Sequence, residues 1–245
     1  MTFSSRALTL AALAVLLPAC GGDDETKRPK NTVDILDPTV PHYGKTYEEW
    51  AGAWVQWVSD TAPPECAHPV LDATGAACAL NQDPSSDVFL LAGNFGGVSI
   101  RDECVVPADK AIFLPILNIS GDNAGVPEDM LISDAELREF VESNFELIDP
   151  ESLRLSVDGH EIDRLERGAI PSTPYTVHLT AGANVYDCVG IDGVEGDFDG
   201  YVSGYWALLA PLEPGEHTLA FGGYSAAAPQ GQPVTIDVTY ELTVE

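Results

Sequence analysis

The chain has 245 residues, 39 of them acidic and 11 basic, for a formal net charge of -28 at neutral pH, and 45% are hydrophobic. A surface this negative repels phosphate backbones and anionic head groups, which argues against nucleic-acid binding, and it attracts cations and cationic substrates. The apolar share suffices for one sizeable core, and no second linker divides the chain, so a single folded domain is expected.

In chain order, Arg6 precedes an apolar run over residues 7–17, followed by Leu17-Pro18-Ala19-Cys20. The run suits a signal-peptide core and is too short for a bilayer, which takes about 20 apolar residues. A small residue followed by Cys resembles the lipobox of bacterial lipoproteins. That resemblance implies a signal peptide over residues 1–19, removal before Cys20, and a lipid on Cys20 that anchors the protein to a membrane. Gly21, rather than Asp, follows the acylated position, which implies the outer membrane if the cell has one. Residues 20–32 are polar and without apolar periodicity, so they read as a flexible tether, and the domain occupies residues 33–245.

The first helix is predicted over residues 46–60, where Thr46 and Glu49 have capping-box spacing and Trp50, Trp54 and Trp57 recur along one side. Residues 61–86 read as a long irregular segment pinned by disulfides. Strands are predicted from Val88, Gly97 and Ala111, with Gly93-Asn94-Phe95-Gly96-Gly97 as a hairpin turn between the first two. A second helix is predicted over residues 133–146, announced by Ser133 and Glu136, with Leu137, Phe140, Val141 and Phe145 on its apolar face. From Ser152 onward the signals are all strand. The last segment alternates cleanly, with Val234, Ile236, Val238, Tyr240, Leu242 and Val244 on one face. Short strands between Gly and Pro turns predict a mainly β fold: an antiparallel β-sandwich, immunoglobulin-like or jelly-roll-like, with two flanking α-helices.

Several stretches, GKTYEEWAGAWVQW, LDATGAAC, FLLAGNFGG, an Arg-x-x-Cys followed by VPADKAIFLPILN, and LAPLEPGEHTLAFGG, together resemble an uncharacterised family of exported bacterial proteins. They are spread over most of residues 44–223, and the acidic segment at residues 190–200 departs from the pattern. The resemblance implies export and carries no activity. Separately, PGEHTLAF and VTIDVTYELTV resemble the closing strands of immunoglobulin-like sandwiches.

Beyond Cys20 the cysteines are Cys66, Cys78, Cys104 and Cys188, an even set in a chain expected to leave the cytoplasm. Four cysteines allow three pairings, and the expected one joins Cys78 to Cys104 and Cys66 to Cys188. None falls in the Cys-x-x-Cys spacing of a zinc site. Three constellations are candidates for chemistry. The stripe of Trp50, Trp54 and Trp57 would stack on a glycan or another envelope ligand if exposed, or pack the core if buried. In the acidic segment, Glu195, Asp197 and Asp199 have the alternate spacing of an EF-hand front half, a candidate Ca2+ site, although position 12 is Trp206. The segment after the third strand offers Asp122 and Glu128 as paired carboxylates, with Arg101 to orient a partner. Nucleophile elbows, zinc-protease and phosphate-loop motifs are absent from the sequence. The favoured reading is a non-catalytic envelope lipoprotein whose sandwich binds a ligand. The alternative is a glycosidase-like, carboxylate-dependent hydrolase with the Trp helix lining its cleft.

Overall fold

The structure, a computed structural model, describes residues 33–61, 68–226 and 232–245. The predicted signal peptide, the tether, Cys20 with its lipid, and Cys66 lie outside the described residues. Val33–Glu245 forms one compact unit.

Both long helices start where their capping boxes stand. In α1 (Tyr47–Ser59) the Thr46 side chain accepts from the Glu49 amide while Glu49 accepts from the Thr46 amide, and Ser133 and Glu136 do the same for α2 (Asp134–Phe145). Each box satisfies two amide donors that the first helical turn would otherwise leave unpaired. A third, short helix, α3 (Val185–Cys188), starts from the Asn184 side chain and falls in a stretch expected to be all strand.

The fold is mainly β. One sheet has β1 (Val88–Leu90), β3 (Ala111–Asp122), β7 (Gly196–Leu209) and β6 (Ala169–Leu179) in that order. The other runs β2 (Gly97–Val106), β9 (Val234–Val244), β8 (Gly215–Ser225), β4 (Ile148–Val157) and β5 (His160–Glu161). Both sheets are mixed, because β1 pairs with β3 and β2 with β9 in parallel. The expected hairpin between the first two strands does not form: β1 and β2 belong to different sheets, and residues 93–96 cross between them.

Two apolar layers follow from the alternation. Between the sheets, Ile112 and Leu114 of β3 meet Leu155, Phe221, Val238 and Tyr240. On the outer side of the first sheet, α1 lays Trp50, Trp54 and Trp57 against Phe113, Val177 and Trp206. The alternation read for β9 holds, with Ile236, Val238, Tyr240, Leu242 and Val244 buried and the residues between them more exposed. Gly204 lets β7 pass close to β3: its φ is +143°, and an added Cβ would stand 2.5 Å from the Leu117 carbonyl oxygen.

The expected disulfide between Cys78 and Cys104 is present, with Cα atoms 5.7 Å apart and a sequence separation of 26. Cys188 is also disulfide-bonded, and its expected partner, Cys66, lies outside the described residues. Removing the first bridge with a Cys78→Ala/Cys104→Ala double variant is expected to lower the unfolding free energy by about 3 kcal/mol, from the freedom the opened loop gains when unfolded. Urea unfolding measures this, and an unchanged midpoint would mean that β2 and its neighbours hold the segment unaided.

Candidate ligand cleft at the open edge of β3

Strand β1 is three residues long and pairs only with Ala111, Ile112 and Phe113. One more bond, from the Leu91 amide to the Phe113 carbonyl at 2.9 Å, ends its contact with β3. The chain then turns away because buried Arg101 captures it: the guanidinium donates to the carbonyls of Ala92 (3.2 Å), Gly93 (3.0 Å) and Val70 (3.2 Å), and to the Tyr240 hydroxyl. Strand β3 continues to Asp122 against β7 alone, so its other edge is not covered by any strand among the described residues.

A cleft of about 550 Å³ lies along that uncovered edge, and residues 117–122 of β3 line it without a gap. Trp54 and Val58 of α1, Tyr186 of α3 and Val189 just after α3 also line it. Val234 and Ile236 of β9, Phe140 of α2 and the exposed Phe95 contribute further apolar surface. The walls are thus mainly apolar, with polar groups from β3 and α3 at one end.

That end is organised around Asp122. Its Oδ2 accepts from the Tyr175 hydroxyl at 2.6 Å, and its Oδ1 accepts from the Ala124 amide at 2.9 Å and the Tyr186 hydroxyl at 3.3 Å. Burial, and then the neighbouring Asp122 charge, push the Tyr175 and Tyr186 hydroxyls well above the ordinary tyrosine range. Both stay protonated and serve as donors. The turn after Asp122 depends on Gly125: with φ at +70°, an added Cβ would meet the Tyr186 ring at 3.1 Å. Asn123 pins the following loop through bonds to both backbone groups of Ile132.

His68 also lines the cleft but is saturated. The Val70 amide donates to Nδ1, so Nε2 carries the proton and donates to the Val58 carbonyl at 2.7 Å. Burial lowers its pKa, partly offset by that bond, which keeps the ring neutral.

The candidates from the sequence separate. Asp122 lines the cleft; Glu128, on an exposed 3₁₀ turn at Glu128–Met130, does not. Arg101 is 1% exposed, and its guanidinium lies 5.2 Å from the centre of the Tyr240 ring. It braces the wall from behind instead of facing a ligand. The Asp122, Glu128 and Arg101 constellation therefore does not assemble, because β3 extends through Asp122 and carries it away from the turn holding Glu128.

The tryptophans form core packing and not an open stacking platform. Trp50, Trp54 and Trp57 are 4%, 5% and 6% exposed. Their indole N–H groups donate to the carbonyls of His42, Leu91 and Leu80. Of the three, Trp54 lines the cleft, while Trp50 and Trp57 border a separate hollow of about 410 Å³ near Gln82 and Asp83. Their number and size reflect a helix that must fill the space between itself and the sheet.

The acidic segment is strand, since β7 begins at Gly196. Asp197 bonds to His178 at 2.7 Å and Asp199 accepts from Thr176 at 2.6 Å, both across to β6. The Asp197 hydrogen bond, and then its charge, raise the His178 pKa above its ordinary value. Alternate side chains on a strand project in parallel instead of wrapping around one point. Among the described residues no group of three His, Cys, Asp or Glu side chains is placed to hold a metal ion.

Sequence reasoning missed Tyr175 and Tyr186. Tyr175 was legible only as one member of an alternating strand. Tyr186 stands on a four-residue helix too short to show a period.

Comparison of the chain with protein-family models, curated proteins and solved structures finds no match in any of the three.

Proposed function

We propose that this chain is an exported, lipid-anchored envelope protein whose β-sandwich domain, immunoglobulin-like or jelly-roll-like, binds a ligand without catalysis in the cleft along β3. The observation that carries this reading is the cleft itself. It is about 550 Å³, mainly apolar, with one organised polar end and a single carboxylate, Asp122, among the described residues that line it. A binding site needs a concave apolar surface with a few placed polar groups, and this cleft has both. Glycoside hydrolysis by paired carboxylates needs a second carboxyl group across the cleft, so the hydrolase reading draws less support.

The lipobox-like Leu17-Pro18-Ala19-Cys20 supports export and anchoring, and the Cys78–Cys104 bridge supports export, since disulfides persist outside the reducing cytosol. Among the described residues no helix is long and apolar enough to cross a membrane. A ligand drawn from the envelope, a glycan or another component, fits such a location. A Ca2+ brace at Glu195, Asp197 and Asp199 has weaker support, because His178 and Thr176 already bond to two of these carboxylates.

The test uses the chain from Gly21 to Glu245, which keeps the whole compact unit. The neutral apolar dye 1-N-phenylnaphthylamine is titrated and its fluorescence followed. Saturable enhancement is expected, and Ser120→Trp, which places an indole in the cleft from the exposed Ser120 position, should reduce affinity about tenfold or more. Equal enhancement by both proteins, or none by either, would contradict an apolar ligand site in the cleft at β3.

A further inference from the structure

We propose that the occupant of this cleft is an extended, basic peptide segment that adds to β3 as a further strand, with a Lys or Arg side chain meeting Asp122; this rests on the cleft being a binding site. Six consecutive residues, 117–122, line the cleft. A strand viewed on its face offers alternate residues, so an unbroken run means that the cleft runs along the strand's edge. In a strand paired on one side only, alternate backbone N–H and C=O groups point away from the partner. Strand β3 has β7 on one side and no strand among the described residues on the other beyond Phe113.

Buried or half-buried backbone groups require hydrogen-bond partners. An aliphatic chain offers none, and a sugar does not repeat donors and acceptors at the strand interval. A peptide supplies both, while its alternate side chains enter the apolar walls, which is how strand addition obtains affinity and specificity. Six residues of edge span about 20 Å, matching a peptide of similar length.

Charge selects the sign. Among the described residues Asp122 is the only charged side chain lining the cleft, and its partners are two hydroxyls and an amide, none of them cationic. Tyr186 and Phe140 add ring surface that favours cations. The net charge of -28 draws basic segments toward the protein.

The experiment displaces the bound dye with the hexapeptide acetyl-Thr-Val-Thr-Val-Thr-Lys-amide. It is compared with the same peptide ending in Glu, and with two versions N-methylated on one or the other alternate set of amides. The Lys peptide should displace the dye at about tenfold lower concentration than the Glu peptide. One methylated version should retain binding while the other loses about tenfold. Asp122→Asn should erase the Lys preference, whereas Glu128→Gln, which removes an equal charge away from the cleft, should preserve it. Hydrogen exchange of the β3 amides, measured without dye, should slow when the Lys peptide binds.

No displacement together with unslowed exchange would overturn the proposal, as would equal binding of the two methylated versions or a Lys preference that survives Asp122→Asn. In those cases dye binding that is lost in Ser120→Trp would leave the ligand cleft standing. Slowed exchange without dye binding would support strand addition and refute an apolar ligand site.

Discussion

Arg101→Met is expected to destabilise the domain by about 3 kcal/mol, read from urea unfolding. Two opposing effects meet at this residue. Methionine removes a buried charge whose Nε lacks a hydrogen-bond partner, which by itself is favourable. It also strips donors from the carbonyls of Val70 and Gly93, and each orphaned buried polar group costs roughly 1–3 kcal/mol. Ala92 retains the Tyr240 hydroxyl at 2.8 Å, so two carbonyls and not three are stranded. The stranded carbonyls outweigh the relieved charge because the guanidinium is already well solvated by four acceptors. Arg101→Lys should recover little, since one ammonium cannot reach carbonyls spread over two segments. A neutral or stabilising Arg101→Met would show that residues 92–94 hold their course without it.

Trp206→Ala should cost about 4 kcal/mol, within the range for emptying a buried aromatic site. The ring is 1% exposed, stacks on Phe113 with centroids 5.3 Å apart, and meets Trp54 edge-on at 5.5 Å. Losing it opens the layer between α1 and the sheet. Trp206→Phe should behave differently. Its smaller ring leaves some empty space, but the buried Trp206 Nε1 has no hydrogen-bond partner, and removing an unsatisfied donor is favourable. A change within about 1.5 kcal/mol is therefore expected for Trp206→Phe. Thermal and urea unfolding of the two variants together give the test. Equal losses would mean that the indole N–H is satisfied in solution.

Those two residues also mark what the sequence made legible. Local chemistry was readable: Thr46 with Glu49 and Ser133 with Glu136 announce both long helices, and the alternation from Val234 to Val244 identifies β9 and its buried face. That cysteines would pair was readable from their even number, while the Cys78–Cys104 pairing was one of three possibilities. Pairing between distant segments was not readable. Gly93 to Gly97 has the composition of a hairpin turn, yet Arg101 captures the Ala92 and Gly93 carbonyls and sends the chain into the other sheet. Neither parallel pair, β1 with β3 or β2 with β9, leaves a local trace.

The site was legible in part. Asp122 stood out because a carboxylate follows an apolar strand. Its partners did not, since Tyr175 and Tyr186 are 53 and 64 residues away in sequence. The cleft itself arises from an early end to β1, a length that composition does not encode. The charged groups that stood out most, Asp197 and Asp199, turn outward to partners on β6.

The most direct test of a ligand site along β3 is a methyl NMR titration of the Gly21 to Glu245 chain, with labelled Ile, Leu and Val and added 1-N-phenylnaphthylamine. Shifts should concentrate on Leu117, Ile119, Val189, Val234 and Ile236, which line the cleft. Shifts confined to exposed apolar residues elsewhere, such as Val98, Ile100 and Leu131, would place binding outside it and contradict the account.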